Sequence, residues 1–405
     1  MQKTITPIDN TLYIERNYDG AKIEETINGS MKAQKVWADL DIKERVKLLT
    51  SFVEDFLSRS GLICEELSRQ IGRPISQAAG ELKGFKERAD YMLSIAEKKL
   101  ADIDVAKDDN FKSYIKRKAL GVVFVIAPWN YPYLVAVNSI IPAMAAGNSV
   151  ILKHSAQTPL CSEQLYQSAK KILPKDIFNY LHLNHEDSLK IVSDKRINFV
   201  SFTGSVKAGY DVQKATQNKF IDMTLELGGK DPAYIRADAD LDYAIESTVD
   251  GAFFNSGQSC CGLERIYVHE SVYDAYVSGF VALTKAFNLG RSDDQNTTLG
   301  PMVRASAADF VRQQIVEALD QGAVAHINPK AFLMDQPGSP YMAPQVLTQV
   351  DHRMRVMTEE SFGPVVGIMK VANDEEAIGL MNDSDLGLTA AIFTQDIDTG
   401  MALGD

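Results

Sequence analysis

Cys260 lies in Phe254-Asn255-Ser256-Gly257-Gln258-Ser259-Cys260-Cys261-Gly262-Leu263-Glu264-Arg265, past a predicted helix end and ahead of strand-like residues 266–269. A thiol held at a backbone-tight turn can act as a nucleophile; taken alone, it reads as a small hydrophobe filling the core. Glu226 closes a predicted strand before Leu227-Gly228-Gly229-Lys230. It is either a half-exposed strand end or a general base for water, and the glycines behind it allow a close approach. Asn130 follows an apolar run in Ala127-Pro128-Trp129-Asn130-Tyr131-Pro132. That is a Pro/Asn turn, or an amide donor aimed at a developing oxyanion. Phe202-Thr203-Gly204-Ser205-Val206-Lys207-Ala208-Gly209 reads as strand, glycine turn and helix start. It is an ordinary connection, or a seat for a phosphate on a helix N-terminus, without the G-x-G-x-x-G fingerprint.

The elements that must position them follow from periodicity. Apolar spacing predicts helices over 19–40, 42–58, 62–71 and 76–100,. Residues 111–119 partly alternate, as an exposed ribbon strand does, and 121–127 form a continuous apolar run, as in a strand buried on both faces. Strands at 149–153, 179–183, 197–202 and 220–225 then alternate with helices at 133–146, 160–172, 187–193 and 206–216. A second series beyond Gly229 predicts strands at 233–235, 265–269, 363–371 and 389–393, with helices at 241–254, 273–287, 305–319 and 374–381. Such alternation means α/β architecture with parallel sheets, here two of them, with the boundary near Gly228-Gly229. Ligands bind beyond the carboxyl ends of parallel strands, which singles out the loops after Ile126, Lys153 and Phe202.

At 405 residues the chain exceeds one compact core,. Its net charge of −12 argues against nucleic acid or an anionic membrane surface,. The basic run from Lys112 to Lys118 reads as a solvated strand edge. No apolar stretch reaches a membrane span, and no secretory signal is visible. Cys64, Cys161, Cys260 and Cys261 are too sparse for a disulfide framework, so a reducing compartment, the cytoplasm, is expected,. His and Cys never fall at metal-ligand spacings, so no metal site is expected.

In their order, these motifs resemble the aldehyde dehydrogenase superfamily across essentially the whole chain. The resemblance implies an NAD(P)-binding Rossmann-like domain (1–100 and 120–228), an oligomerisation ribbon (101–119) and a catalytic domain (229–405) whose C-terminal end is expected to continue further. It implies Cys260, not Cys261, as nucleophile on an aldehyde, Asn130 as oxyanion donor and Glu226 as the base that hydrolyses a thioester. Cys261 is expected to pack or to sense oxidation. Among cofactor residues it implies Trp129, Thr203 behind the nicotinamide, Gly204, Ser205 and the following helix with Gly209 at the pyrophosphate, and Glu360 and Phe362 of Glu360-Ser361-Phe362-Gly363-Pro364 at the nicotinamide ribose and ring. Where the family commonly has Lys-Pro-x-Glu, this chain has Lys153-His154-Ser155-Ala156. With Ala156 in place of a carboxylate that grips ribose hydroxyls, Lys153 is free to pair with a 2′-phosphate, so NADP is expected to be accepted beside NAD. The expected substrate is a small-molecule aldehyde, with Lys153-His154 hinting at semialdehydes, and the expected assembly is a homo-oligomer. Two rivals stand beside this reading: a CoA-acylating relative, against which Glu226 argues, and a non-catalytic protein that keeps the fold.

Overall fold

The structure, a computed structural model, describes residues 1–108 and 111–405. Residues 109 and 110, inside the stretch expected to form the ribbon, lie outside the described residues. The chain divides into two compact units: 1–5, 12–70 and 78–227 in the first, and 6–11, 71–77 and 228–405 in the second.

The first unit opens with an antiparallel pair, β1 (Gln2–Ile5) and β2 (Leu12–Arg16). Helices α1 (Ile23–Asp39), α2 (Ile42–Leu57), α3 (Ser60–Ile71) and α4 (Ile75–Leu100) follow, with the last residue of α3 and the first three of α4 counted in the second unit. A two-stranded antiparallel ribbon comes next, β3 (Ile103–Asp108) with β4 (Phe111–Ile115), and every β4 side chain is exposed. Then β5 (Val122–Ala127), α5 (Pro132–Ala145), β6 (Ser149–His154), α6 (Pro159–Ile172), β7 (Phe178–Tyr180), α7 (His185–Ser193), β8 (Ile197–Thr203), α8 (Val206–Thr216) and β9 (Met223–Glu226) build a parallel sheet in the order β7-β6-β5-β8-β9. Pleating splits the central strand between two cores. Val123 and Val125 of β5 join one apolar cluster, and Val122, Phe124 and Ile126 another. A continuous apolar run is what such a strand requires.

The second unit holds β10 (Asp231–Ile235), α9 (Leu241–Phe253), β11 (Leu263–His269), α10 (Tyr273–Lys285), α11 (Ala305–Asp320), β12 (Val324–Ala325), β13 (Gln345–Thr348), α12 (Arg355–Thr358), β14 (Val365–Val371), α13 (Asp374–Asn382), β15 (Ala391–Phe393) and α14 (Ile397–Gly404). Its sheet runs β12-β13-β14-β11-β10-β15, parallel except for β12.

Several expectations need correction. The strand expected at 220–225 begins only at Met223 and ends on Glu226, because Lys219 is tied back to the Val192 and Asp194 carbonyls. Strand β13 was not expected: four residues behind Pro344 are too short to show a period, yet all four are buried. The ribbon strand ends at Ile115, not at 119. The first strand of that ribbon and the β1–β2 pair carry too little alternation to stand out.

Candidate active site

In the second unit, α9 is capped by Asp240, which accepts from the Tyr243 N–H at 3.2 Å, and it ends at Phe253. The chain then turns through three successive left-handed residues, Asn255 (φ 54°), Ser256 (φ 57°) and Gly257 (φ 69°). Two non-glycine residues in that region cost about 1–2 kcal/mol each, so the turn needs fastening. Arg73 Nε donates to Asn255 Oδ1 at 3.0 Å, and Asn255 Nδ2 donates to the Gln258 carbonyl at 3.1 Å. Gln258 Nε2 returns a bond to the Asn255 carbonyl at 3.1 Å, while its Oε1 accepts from the Val303 N–H at 2.7 Å. Ser256 Oγ donates to the Gly300 carbonyl at 2.8 Å. Gly257 is obligatory, because a Cβ there would lie 2.3 Å from the Gly363 carbonyl oxygen.

This turn presents Cys260, half-buried, beside exposed Cys261. The neighbouring thiols perturb each other: the Cys260 thiol pulls Cys261 down to about 6, and the Cys261 thiol, then burial, pushes Cys260 up. The first proton lost belongs to the pair. Behind Cys260 the chain touches Gly229, where a Cβ would fall 2.2 Å from the Cys260 carbonyl oxygen. At Gly228 a Cβ would fall 2.5 Å from Glu360 Oε2, and Glu360 Oε1 accepts from the Gly229 N–H at 3.1 Å. Burial, and then the nearby Glu264 charge, raise Glu360 to about 7. Phe362, two residues on, is left-handed at φ 52°.

In the first unit, Trp129 and Asn130 follow the end of β5, and Asn130 is only 4% exposed. Pro132 starts α5 at the position where a missing N–H costs nothing,. Buried Glu81 on α4 accepts from the Tyr133 and Leu134 N–H groups at 2.8 and 3.2 Å, fixing where the Asn130 turn ends. Across the sheet, Thr203 is in register with Glu226, whose carbonyl accepts from the Gly204 N–H at 3.0 Å. The Glu226 side chain is exposed at its strand end. Ser205 caps α8 by accepting from the Ala208 N–H at 3.3 Å. A Cβ on Gly209 would fall 2.6 Å from Leu227 Cδ2, so α8 lies close against the chain leaving β9.

Lys153 and His154 end β6. Burial lowers the Lys153 ammonium and drives the His154 imidazole down to about 3, leaving it neutral. Ala156 is exposed, and its carbonyl accepts from Gln2 Nε2 at 3.2 Å and Thr4 Oγ1 at 2.8 Å. The donor set fits a dinucleotide: a capped helix N-terminus after a glycine turn, and a cation whose burial an anionic phosphate would offset. Both stand at carboxyl ends of parallel strands. Among the described residues no group of three or more His, Cys, Asp or Glu could hold a metal ion, and no helix is long and apolar enough to cross a membrane.

The structure thus brings Thr203, Gly204 and Glu226 together in the first unit, and Cys260, Gly229 and Glu360 in the second. Residues that sequence reasoning missed are supports: Arg73, Glu81, Gln258, Lys230 and Glu264. Their one signal was a polar or charged side chain where burial was expected, as in Glu264-Arg265 opening the apolar strand β11.

Residues 2–405 match the aldehyde dehydrogenase family. The chain is 33% identical over 390 residues to retinaldehyde dehydrogenase 3 of Mus musculus, covering 95% of this chain and 75% of the relative. It is 30% identical over 375 residues to a succinate semialdehyde dehydrogenase (NAD(P)+) of Escherichia coli strain K12, covering 92% of this chain and 80% of the relative. A solved structure, succinic semialdehyde dehydrogenase from Streptococcus pyogenes in complex with NADP+, superposes with a TM-score of 0.92 at 27% identity, covering 100% of this chain and 89% of that one. The chain belongs to the aldehyde dehydrogenase family and is an NAD(P)-dependent, aldehyde-oxidising enzyme.

Proposed function

We propose that the chain oxidises an aldehyde to the carboxylic acid through a covalent intermediate on Cys260, hydrolysed with Glu226 as base. The observation that carries this reading is the fastened left-handed turn at 255–257, which fixes the backbone directly before a half-buried thiol. Cys260, as thiolate, attacks the aldehyde carbon, and the oxyanion of the thiohemiacetal is held by the Asn130 amide and the Cys260 N–H. The bound NAD(P)+ supplies a hydride acceptor. Trp129, Thr203, Gly204, Ser205, Gly209, Glu360 and Phe362 are the residues assigned to hold it. Glu226 then takes a proton from water as that water attacks the Cys260 thioester. Residues 1–100 with 120–228, 101–119, and 229–405 are assigned as cofactor domain, oligomerisation ribbon and catalytic domain.

Lys153 with Ala156 supports acceptance of NADP, since no carboxylate faces a 2′-phosphate from that loop. The relatives named for succinate semialdehyde support a small aliphatic or carboxylated aldehyde as substrate. A homo-oligomer in the cytoplasm completes the assignment. The test is Glu226→Gln mixed with aldehyde and NAD(P)+. One equivalent of NAD(P)H should form in a burst, and mass spectrometry should find the acyl group on Cys260. Undiminished steady turnover, or turnover that requires CoA, would contradict the hydrolytic role of Glu226.

A further inference from the structure

We propose that Glu264, with Lys230 beside it, is a positioning residue that sets the Glu360–Phe362 turn in the conformation its cofactor role requires. The inference rests on the assignment of that turn to the nicotinamide ribose and ring. Phe362 is left-handed at φ 52°, a conformation a phenylalanine adopts only when its surroundings impose it,. The imposing group is the Glu264 carboxylate. Its Oε2 accepts from the Ser361 N–H and its Oε1 from the Phe362 N–H, both at 2.8 Å. Two adjacent N–H groups converging on one carboxylate fix the turn in position and orientation, and such charge-assisted bonds are the strong ones.

In this dry site Lys230 pairs with the carboxylate. Lys230 Nζ also donates to Ser361 Oγ at 3.1 Å, so both members of the pair grip the same residue. Glu264 is 4% exposed and Lys230 1%. Stability alone does not explain the pair, since a well-packed apolar pair serves a core at least as well. What an apolar pair cannot do is receive the two N–H groups. The placement also ties the turn to the nucleophile. Glu264 stands four residues past Cys260 at the start of β11, and Arg265 Nε donates to the Lys230 carbonyl at 2.8 Å. One strand start therefore carries the thiol and holds the turn that bears Glu360 and Phe362.

The test uses Glu264→Gln and the double variant Lys230→Met/Glu264→Gln in the full chain. A glutamine oxygen receives one of the two N–H groups and turns its own amide hydrogens on the other. The double variant removes the buried ammonium that the single one leaves unpaired. Two readouts are taken: the Kd of NADPH and NADH by nucleotide fluorescence, and hydrolysis of p-nitrophenyl acetate by the cofactor-free protein. The second needs a reactive thiol and a base but no nicotinamide turn. The expected result, in at least the double variant, is a Kd raised about tenfold with ester hydrolysis kept within about threefold. A Kd raised less than about fivefold in both variants, or ester hydrolysis lost in step with nucleotide binding in both, would overturn the proposal. If the wild type bound nucleotide and the variants did not, yet no aldehyde was oxidised, the proposed function would fail while this positioning role stood.

Discussion

Replacing Gly229 by alanine should disable the enzyme while leaving it folded. The added Cβ would lie 2.2 Å from the Cys260 carbonyl oxygen, against an ordinary contact of at least 3.4 Å. The gap must open by about 1.2 Å, and both sides are backbone, so no side chain can swing aside. Crowding of this kind costs about 1–3 kcal/mol of stability. A nucleophile displaced by about 1 Å loses on the order of a hundredfold in rate. The prediction is a kcat/KM for aldehyde roughly a hundredfold lower, with cooperative unfolding retained and Tm lowered by about 2–10 °C. Gly228→Ala is the control. There the clash, 2.5 Å from Glu360 Oε2, meets the end of a flexible side chain, so the KM for NAD(P)+ should rise while ester hydrolysis by the cofactor-free protein changes little. A Gly229→Ala protein whose kcat/KM stays within about twofold of wild type would refute the reasoning that this contact seats the thiol.

Ala156→Glu should raise the KM for NADP+ by about tenfold to a hundredfold, the cost of a like charge against a 2′-phosphate, and leave that for NAD+ unchanged or lower; steady-state kinetics with both nucleotides checks it. Glu360, raised to about 7 by burial, binds its proton more tightly folded than unfolded. Its contribution to stability is complete below the ordinary carboxyl range and is lost as pH rises through about 7. Glu360→Gln should therefore gain Tm relative to wild type between pH 5 and pH 8, with nucleotide absent, and a constant difference across that window would contradict the assigned burial.

Much of this was legible because the residues proposed for the chemistry sit at element ends. The run 122–127 could only be a strand covered on both faces, and Asn130 follows it directly. Thr203-Gly204-Ser205 and Glu226 likewise sit where strands stop, so pattern and proposed site coincide. The supports were not legible because they act across sequence. Arg73 reaches Asn255, and Glu264 reaches residues 361 and 362, from positions nearly a hundred residues or more away. A charged residue opening a buried strand says that a partner exists and not which one. The double glycine illustrates the same limit: its type announced a close approach, and only the fold identifies the approaching atoms as the Cys260 carbonyl and the Glu360 carboxylate. Strand β13 escaped because four buried residues carry no periodic contrast.

The identity of the nucleophile is the central claim, and the adjacent thiol makes it sharp. Cys261 is the more exposed of the two and is drawn toward the thiolate, whereas Cys260 is half-buried and backed by Gly229. Aldehyde-dependent NAD(P)H formation should be measured side by side for Cys260→Ala and Cys261→Ala. The account predicts no turnover above background in the first and at least about a third of wild-type kcat in the second; turnover surviving in Cys260→Ala, or vanishing in Cys261→Ala alone, would contradict it.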